Sequence, residues 1–140
     1  MIYIQVIGAF VGVIAIAITF GVPKKFLPHS GFVGAIGWFS YLMLKSLGWN
    51  TVIRMFFAAL VIAIISHTFA RIFKTPVTLF LVAGILPLVP GLGMYRIVHN
   101  LLINNNAMAG VYLRETIQIA GMIALAIFIV DTFFRIFQKR

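Results

Sequence analysis

The side chains able to do chemistry in this chain are few. Among 140 residues there are three histidines, two acids, eleven lysines and arginines, and no cysteine. His67 stands late in an apolar run with Arg71 four residues on. There it either carries a proton in coupled transport or serves as a hydrogen-bonded packing residue near an interface. Arg96, His99 and Asn100 fall on one helical face, and with Arg54 they either line an outward vestibule or form an interfacial stripe leading to Asn104, Asn105 and Asn106. Asp131 and Arg135, four apart, are expected to form an ion pair near a membrane surface rather than a proton relay. Glu115 follows Arg114 at the expected start of the last helix, where a carboxylate suits the helix dipole.

Other chemistry is expected to be absent. Without cysteine there is no disulfide, thiolate or cysteine-based metal site. His29, His67 and His99 lie far apart on separate elements, so neither a metal nor another cofactor is expected. The chain carries no Ser/His/Asp constellation and no G-x-x-x-x-G-K-[ST] phosphate loop, which argues against an enzyme and an ATP-driven pump.

The most unusual stretch is residues 84–96, GILPLVPGLGMYR. Proline removes an N–H and clashes with the carbonyl four residues back, so Pro87 is expected to free the oxygen of Ala83, and Pro90 that of Leu86. Unsatisfied carbonyls cost several kcal/mol in hydrocarbon, so such backbone belongs inside protein or beside a watery cavity. Gly91 and Gly93 give freedom to unwind. A helix starting beyond them would aim unpaired N–H groups at the break, with Arg96 about one and a half turns inside it. A helix N-terminus beside an arginine suits a carboxylate, and free carbonyls opposite suit an ammonium or a cation. Gly84, Pro87, Pro90, Gly91, Tyr95, Arg96, His99 and Asn100 are therefore the candidates for a substrate path. The alternative is a proline kink that fixes helix packing, with Arg96 reaching for the surface.

The elements that must position these residues follow from composition. The chain is 63% hydrophobic and 9% charged, with a mean hydropathy of +1.14. Two acids cannot build a solvated shell, so lipid must be the solvent for most of the surface. The net charge of +9 is spread in small groups between apolar runs, as beside membrane spans, and a nucleic-acid partner is not expected. A hydrocarbon core of about 30 Å needs about 20 helical residues. Spans are expected at residues 2–22, 31–48, 51–70, 76–103 and 115–136, with Trp38, Tyr41 and Trp49 as interface anchors. The first lacks the basic n-region and cleavage site of a signal peptide. As one straight helix, residues 76–103 would run about 42 Å, too long for the core; broken near 87–93 they give two halves of about 11 residues each. If this segment crosses, Lys24, Lys25, Arg71, Lys74, Arg135, Lys139 and Arg140 share one side, which the positive-inside tendency makes cytoplasmic. The expected fold is thus an all-α integral membrane protein of about five transmembrane helices, the fourth broken at a P-x-x-P-G motif. It forms one transmembrane domain over 1–140, N-terminus outside and C-terminus inside. Gly8 with Gly12, and Gly31 with Ala35, are small-residue pairs that let helices approach closely, within the bundle or against a partner.

At these residues the chain resembles a known family. TPVTLFLVAGILPLVPGLGMYR (75–96), GVPKKFL (21–27) and GFVGAIGWFSY (31–41) are similar to the small integral-membrane half of the threonine/serine exporter family. The correspondence falls on Val22-Pro23, on Gly34 to Trp38, and on Pro87, Pro90, Gly91 and Tyr95. The resemblance implies a two-component or fused secondary transporter in a bacterial cell membrane, with a larger transmembrane partner subunit. It implies threonine, serine or, in one branch, a dicarboxylate as exported substrate. The reading from another class is a non-transporting membrane assembly or scaffold protein.

Overall fold

The computed structural model describes residues 1–138; Lys139 and Arg140, counted above with the basic groups, lie outside the described residues. Six α-helices follow one another: α1 Ile2–Thr19, α2 Leu27–Ser46, α3 Thr51–Phe73, α4 Thr78–Ile85, α5 Gly91–Leu102 and α6 Asn106–Gln138. Short 3-10 turns precede α2 and follow α4, and no strand occurs among the described residues. Among the described residues three helices, α1, α3 and α6, are long and apolar enough to cross a membrane. The segments Thr78–Leu88 and Gly91–Leu102 qualify together as a fourth, bent by 45° at the break. With this make-up the chain is an all-α membrane protein.

Most helix ends are set by local chemistry. Gly21 and Gly48 adopt positive φ of 74° and 78°, where the missing Cβ removes the steric cost. The following N–H groups of Val22 and Trp49 bond back to Ala17 and Leu44, closing α1 and α2. Asn50 caps α3 by accepting from the Val52 N–H at 3.0 Å, which satisfies one of the free donors of the first turn. Lys74 ends α3 in the left-handed region at φ 53°.

α2 is the pillar of the bundle, packed against α1, α3 and α4. It is 20 residues long and begins at Leu27, four residues before the expected span, because Pro28 is tolerated in a first turn. Its glycines set the crossing points. A Cβ on Gly34 would overlap Val13 of α1, and one on Gly37 would overlap Ile62 of α3. A Cβ on Gly84 of α4 would lie 2.8 Å from Val33 Cγ1. Gly31, one of the expected small-residue pair, packs on Phe10 and Ile14 of α1, while Gly8 and Gly12 meet nothing within 4 Å. A second core is aromatic: Phe26, His29, Phe69, Phe73 and Phe80 meet edge-on or tilted, with ring centroids 4.7–6.4 Å apart, the geometry favoured by ring quadrupoles.

α3 and α6 run parallel. Val52 and Ile53 lie beside Ile117, Gln118 and Gly121 at one end, and His67 and Arg71 beside Asp131 and Phe134 at the other. α6 also corrects the sequence reading. It is 33 residues long and starts at Asn106, so Arg114 and Glu115 stand in its interior instead of at a helix start. Asn104 takes φ 60° and the Asn105 side chain accepts from the Met108 N–H at 3.4 Å. The asparagine run is the turn and cap from which this helix begins.

Candidate functional site

The break between α4 and α5 is built from its two prolines. Leu86–Leu88 tighten into a 3-10 turn carrying Pro87, and Pro90 follows with φ −78° and ψ 59°. These angles are those of an inverse γ-turn, closed by the Gly91 N–H donating to the Val89 carbonyl at 2.7 Å. The carbonyl of Leu86, expected to be free, accepts from the Val89 N–H at 3.1 Å. The tighter turn recovers that bond because Val89 sits three residues on, where Pro90 at the fourth place has no N–H to give. The Pro90 carbonyl takes the Met94 N–H at 3.1 Å and starts α5.

α5 packs on α6. At Gly93 the two helices are so near that a Cβ would collide with the Thr116 hydroxyl. The helix turns Asn100 inward and leaves Leu92, Met94, Tyr95, Val98, Leu101 and Leu102 exposed. Beside the break lies a cavity of about 260 Å³, walled by Pro90 to Gly93, by Arg96, by Trp38 and Met55, and by Tyr112, Glu115 and Thr116 of α6. The Arg96 guanidinium lies 5.4 Å from the centre of the Tyr112 ring, a cation–π distance. Arg96 and Glu115 share this cavity, yet no ion pair joins them among the described residues.

The expected path residues divide in space. Pro90, Gly91 and Arg96 line the cavity. Pro87 faces a neighbouring groove with Gln5, Ala9 and Trp38, and Gly84 is buried at the α2 crossing. Tyr95 and His99 stack with centroids 5.9 Å apart on the exposed side. Asn100 is buried and donates from Nδ2 to the Arg96 carbonyl at 2.8 Å. Arg54 lines none of these walls. It is buried, donates from Nη2 to Thr51 Oγ1 at 2.6 Å and lies 4.8 Å from the Tyr41 ring centre, with Nε and Nη1 unpartnered among the described residues. Trp38 stacks on Tyr41 at 5.0 Å and lines the cavity. Trp49 is exposed between α2 and α3.

Sequence reasoning missed Glu115, Tyr112 and Thr116 as companions of the break. The available signal was scarcity: Glu115 is one of two acids in the chain. Once α6 is seen to begin at Asn106, that carboxylate needs a reason other than a helix dipole.

A second polar cluster sits where α3 and α6 end. His67 Nε2 lies 3.7 Å from Asp131 Oδ1, and Arg135 Nε lies 2.7 Å from Asp131 Oδ2. The expected Asp131–Arg135 pair therefore forms, with His67 as a further neighbour of the same carboxylate. The Phe134 ring lies between His67, stacked at 4.8 Å, and the Arg71 guanidinium at 4.6 Å.

No solved structure matches the chain. The family model for the threonine/serine exporter ThrE matches residues 5–133. That match runs from the first helix through the broken segment to Asp131 and the cavity's α6 wall, so the exporter-type function, the membrane setting and a small-molecule cargo come with it: the chain belongs to the threonine/serine exporter family.

Proposed function

We propose that the chain is one component of a secondary exporter for a small amino acid, threonine or serine, working with a larger transmembrane partner in a bacterial cell membrane. One observation carries the substrate class: Arg96 and Glu115 line one cavity without pairing. A zwitterion brings a carboxylate for the first and an ammonium for the second, and charge-assisted contacts of this kind are the strong ones. A dicarboxylate would meet Glu115 as a like charge, which favours the amino acid over the organic acid. The cavity is smaller than those that hold drug-sized ligands, in keeping with a small solute. The Gly91 to Gly93 backbone lets the ligand approach the start of α5, as at the discontinuous helices of other secondary transporters.

The parallel run of α3 and α6 supports five crossings. Helices that run parallel across a bilayer are separated by one returning span, and the 45° bend lets α4 and α5 together serve as that span. α2 is then the second span; it is less apolar than the other spans but long enough at 20 residues, and Ser30, Gly31, Gly34, Ala35 and Gly37 are buried within the bundle. The N-terminus lies outside and the C-terminus in the cytoplasm. His67, beside Asp131, carries the coupling proton, in keeping with the rule that ionisable groups within spans are functional. The exposed apolar face of α5 and the open Gly8–Gly12 face of α1 offer the partner its contacts.

Reconstitution tests this reading. Vesicles loaded with threonine, serine or succinate should release the amino acids when both components are present. Robust release by the partner alone, or succinate as the preferred cargo, overturns it. Under a scaffold role, Pro90→Ala and Arg96→Ala would lower the amount of complex and leave transport per complex unchanged.

A further inference from the structure

The cleft between the last turns of α3 and α6 has a volume of about 700 Å³ and is lined by His67, Arg71, Lys74, Asp131, Phe134 and Arg135, among others. Its charges do not balance. Asp131 is matched by Arg135 at 2.7 Å and approached by His67 at 3.7 Å. Arg71 and Lys74 remain without a carboxylate among the described residues. The hydrogen bond of Arg71 Nη2 to the Phe134 carbonyl, 2.6 Å, fixes the guanidinium and leaves its charge uncompensated. His67 also lines the cleft, nine-tenths buried, with its Nε2 turned toward Asp131 at 3.7 Å, so it offers Arg71 and Lys74 no counter-charge.

The surroundings name the ligand. Ile72 on α3, and Phe133, Ile136 and Phe137 on α6, are exposed within two residues of Arg71, Lys74 or Arg135 along their helices. A soluble anion has no use for such a rim, whereas acyl chains do. Basic pockets between helices at a membrane surface are suited to phosphate headgroups. We propose that this cleft is a binding site for an anionic phospholipid, its phosphate on Arg71 and Lys74 and its chains along the exposed apolar rim. Each juxtamembrane cation contributes about 1 kcal/mol, so Lys74 alone is worth roughly a fivefold change in affinity. The site rests on the geometry of the two helix ends and is independent of the exporter reading.

The test uses the full chain in nanodiscs of phosphatidylcholine doped with phosphatidylglycerol, with lipid retention read by native mass spectrometry. Phosphatidylglycerol should be retained in preference to phosphatidylcholine. Lys74→Gln, which keeps a long side chain at an exposed position, should weaken retention roughly fivefold, and Arg71→Gln with Lys74→Gln roughly twentyfold or more. Equal retention of the two lipids overturns the proposal, and so does a Lys74→Gln chain that keeps the full preference. A parallel arm adds inorganic phosphate to the chain in neutral detergent. Thermal stabilisation by phosphate equal to that by phosphatidylglycerol also overturns it, because the site would then be one for a soluble anion.

Discussion

Gly93 of α5 and Thr116 of α6 touch so closely that no Cβ fits between them. This contact holds the start of α5, and with it one wall of the cavity, against the last helix. Gly93→Ala should cost about 1–3 kcal/mol, the usual penalty for overpacking, and should widen the Arg96–Glu115 gap. Thr116→Ala, which removes the offending hydroxyl, should restore much of the loss in the double variant. Unfolding in detergent for the four members of the cycle measures the coupling; additive effects would show that the helices part elsewhere.

Glu115→Gln and Arg96→Gln separate charge recognition from architecture. Each removes one hydrogen-bonded ionic contact to a zwitterion, worth about 1.5–3 kcal/mol, so the KM for threonine should rise roughly tenfold or more. The amount of assembled complex should stay near normal, because neither residue has an ion-pair partner among the described residues. Uptake into inverted vesicles over a range of threonine concentrations gives both parameters. Glu115→Gln should also ease entry of succinate, by removing the like charge.

Arg54 is buried, and two of its three guanidinium nitrogens are unpartnered among the described residues. A buried donor without an acceptor costs about 1–3 kcal/mol, so Arg54→Met should raise the unfolding temperature of the isolated chain despite losing the Tyr41 contact. If the partner subunit supplies the acceptor, the same variant should weaken assembly. Thermal unfolding of the chain alone and co-purification with the partner give the two readouts.

The glycines of α1 and α2 should behave in opposite ways. Gly34→Ala forces a Cβ into Val13 and should destabilise the chain by about 1–3 kcal/mol. Gly8→Leu and Gly12→Leu enter open space, so the stability of the isolated chain should change by less than about 0.5 kcal/mol. Capture of the partner should fall if α1 is its docking face, since small residues are what permit close helix approach in lipid.

Asp131 holds Arg135 on its own helix and His67 on α3. The Arg135 side chain is 75% exposed, so Arg135→Ala should cost no more than about 0.5 kcal/mol and less at high salt. Asp131→Ala should cost more, because it also strips the neighbour from buried His67. Unfolding measured at low and high salt distinguishes the two.

Much of this architecture is legible in the sequence, for identifiable reasons. Apolar run length and lipid thickness are enough to place α1 and α3, and the proline pair dictates a break between two halves of nearly equal length. The structure has 8 residues in α4, 3 in the following turn and 12 in α5. The start of α6 is harder to read. Residues 106–114 mix Asn, Gly and Arg with apolar residues, so hydropathy fades there while helical hydrogen bonding continues. The fate of the Leu86 carbonyl also escapes the sequence, since the rule for proline assumes α-helical spacing and the chain tightens to 3-10. Arg96 announces itself by its place after the glycines. Its companion Glu115 lies 19 positions on, and only the packing of α5 on α6 brings the two to one cavity. Conversely Tyr95 and His99 share the motif's helix and look outward, because a helix has more than one face.

At 33 residues, α6 would run about 50 Å if straight, against about 30 Å of hydrocarbon. Tilting by the usual 20° or so shortens its projection only slightly, so part of it must stand clear of the lipid core. The N-terminal turns, with Asn106, Arg114 and Glu115, are the part suited to water. Such a mismatch makes the depth of Glu115 a function of bilayer thickness: a thicker membrane draws it toward the acyl chains, and a thinner one lifts it into the headgroups. The charge that we assign to the ammonium end of the cargo would then be tuned by the lipid composition of the membrane that houses it.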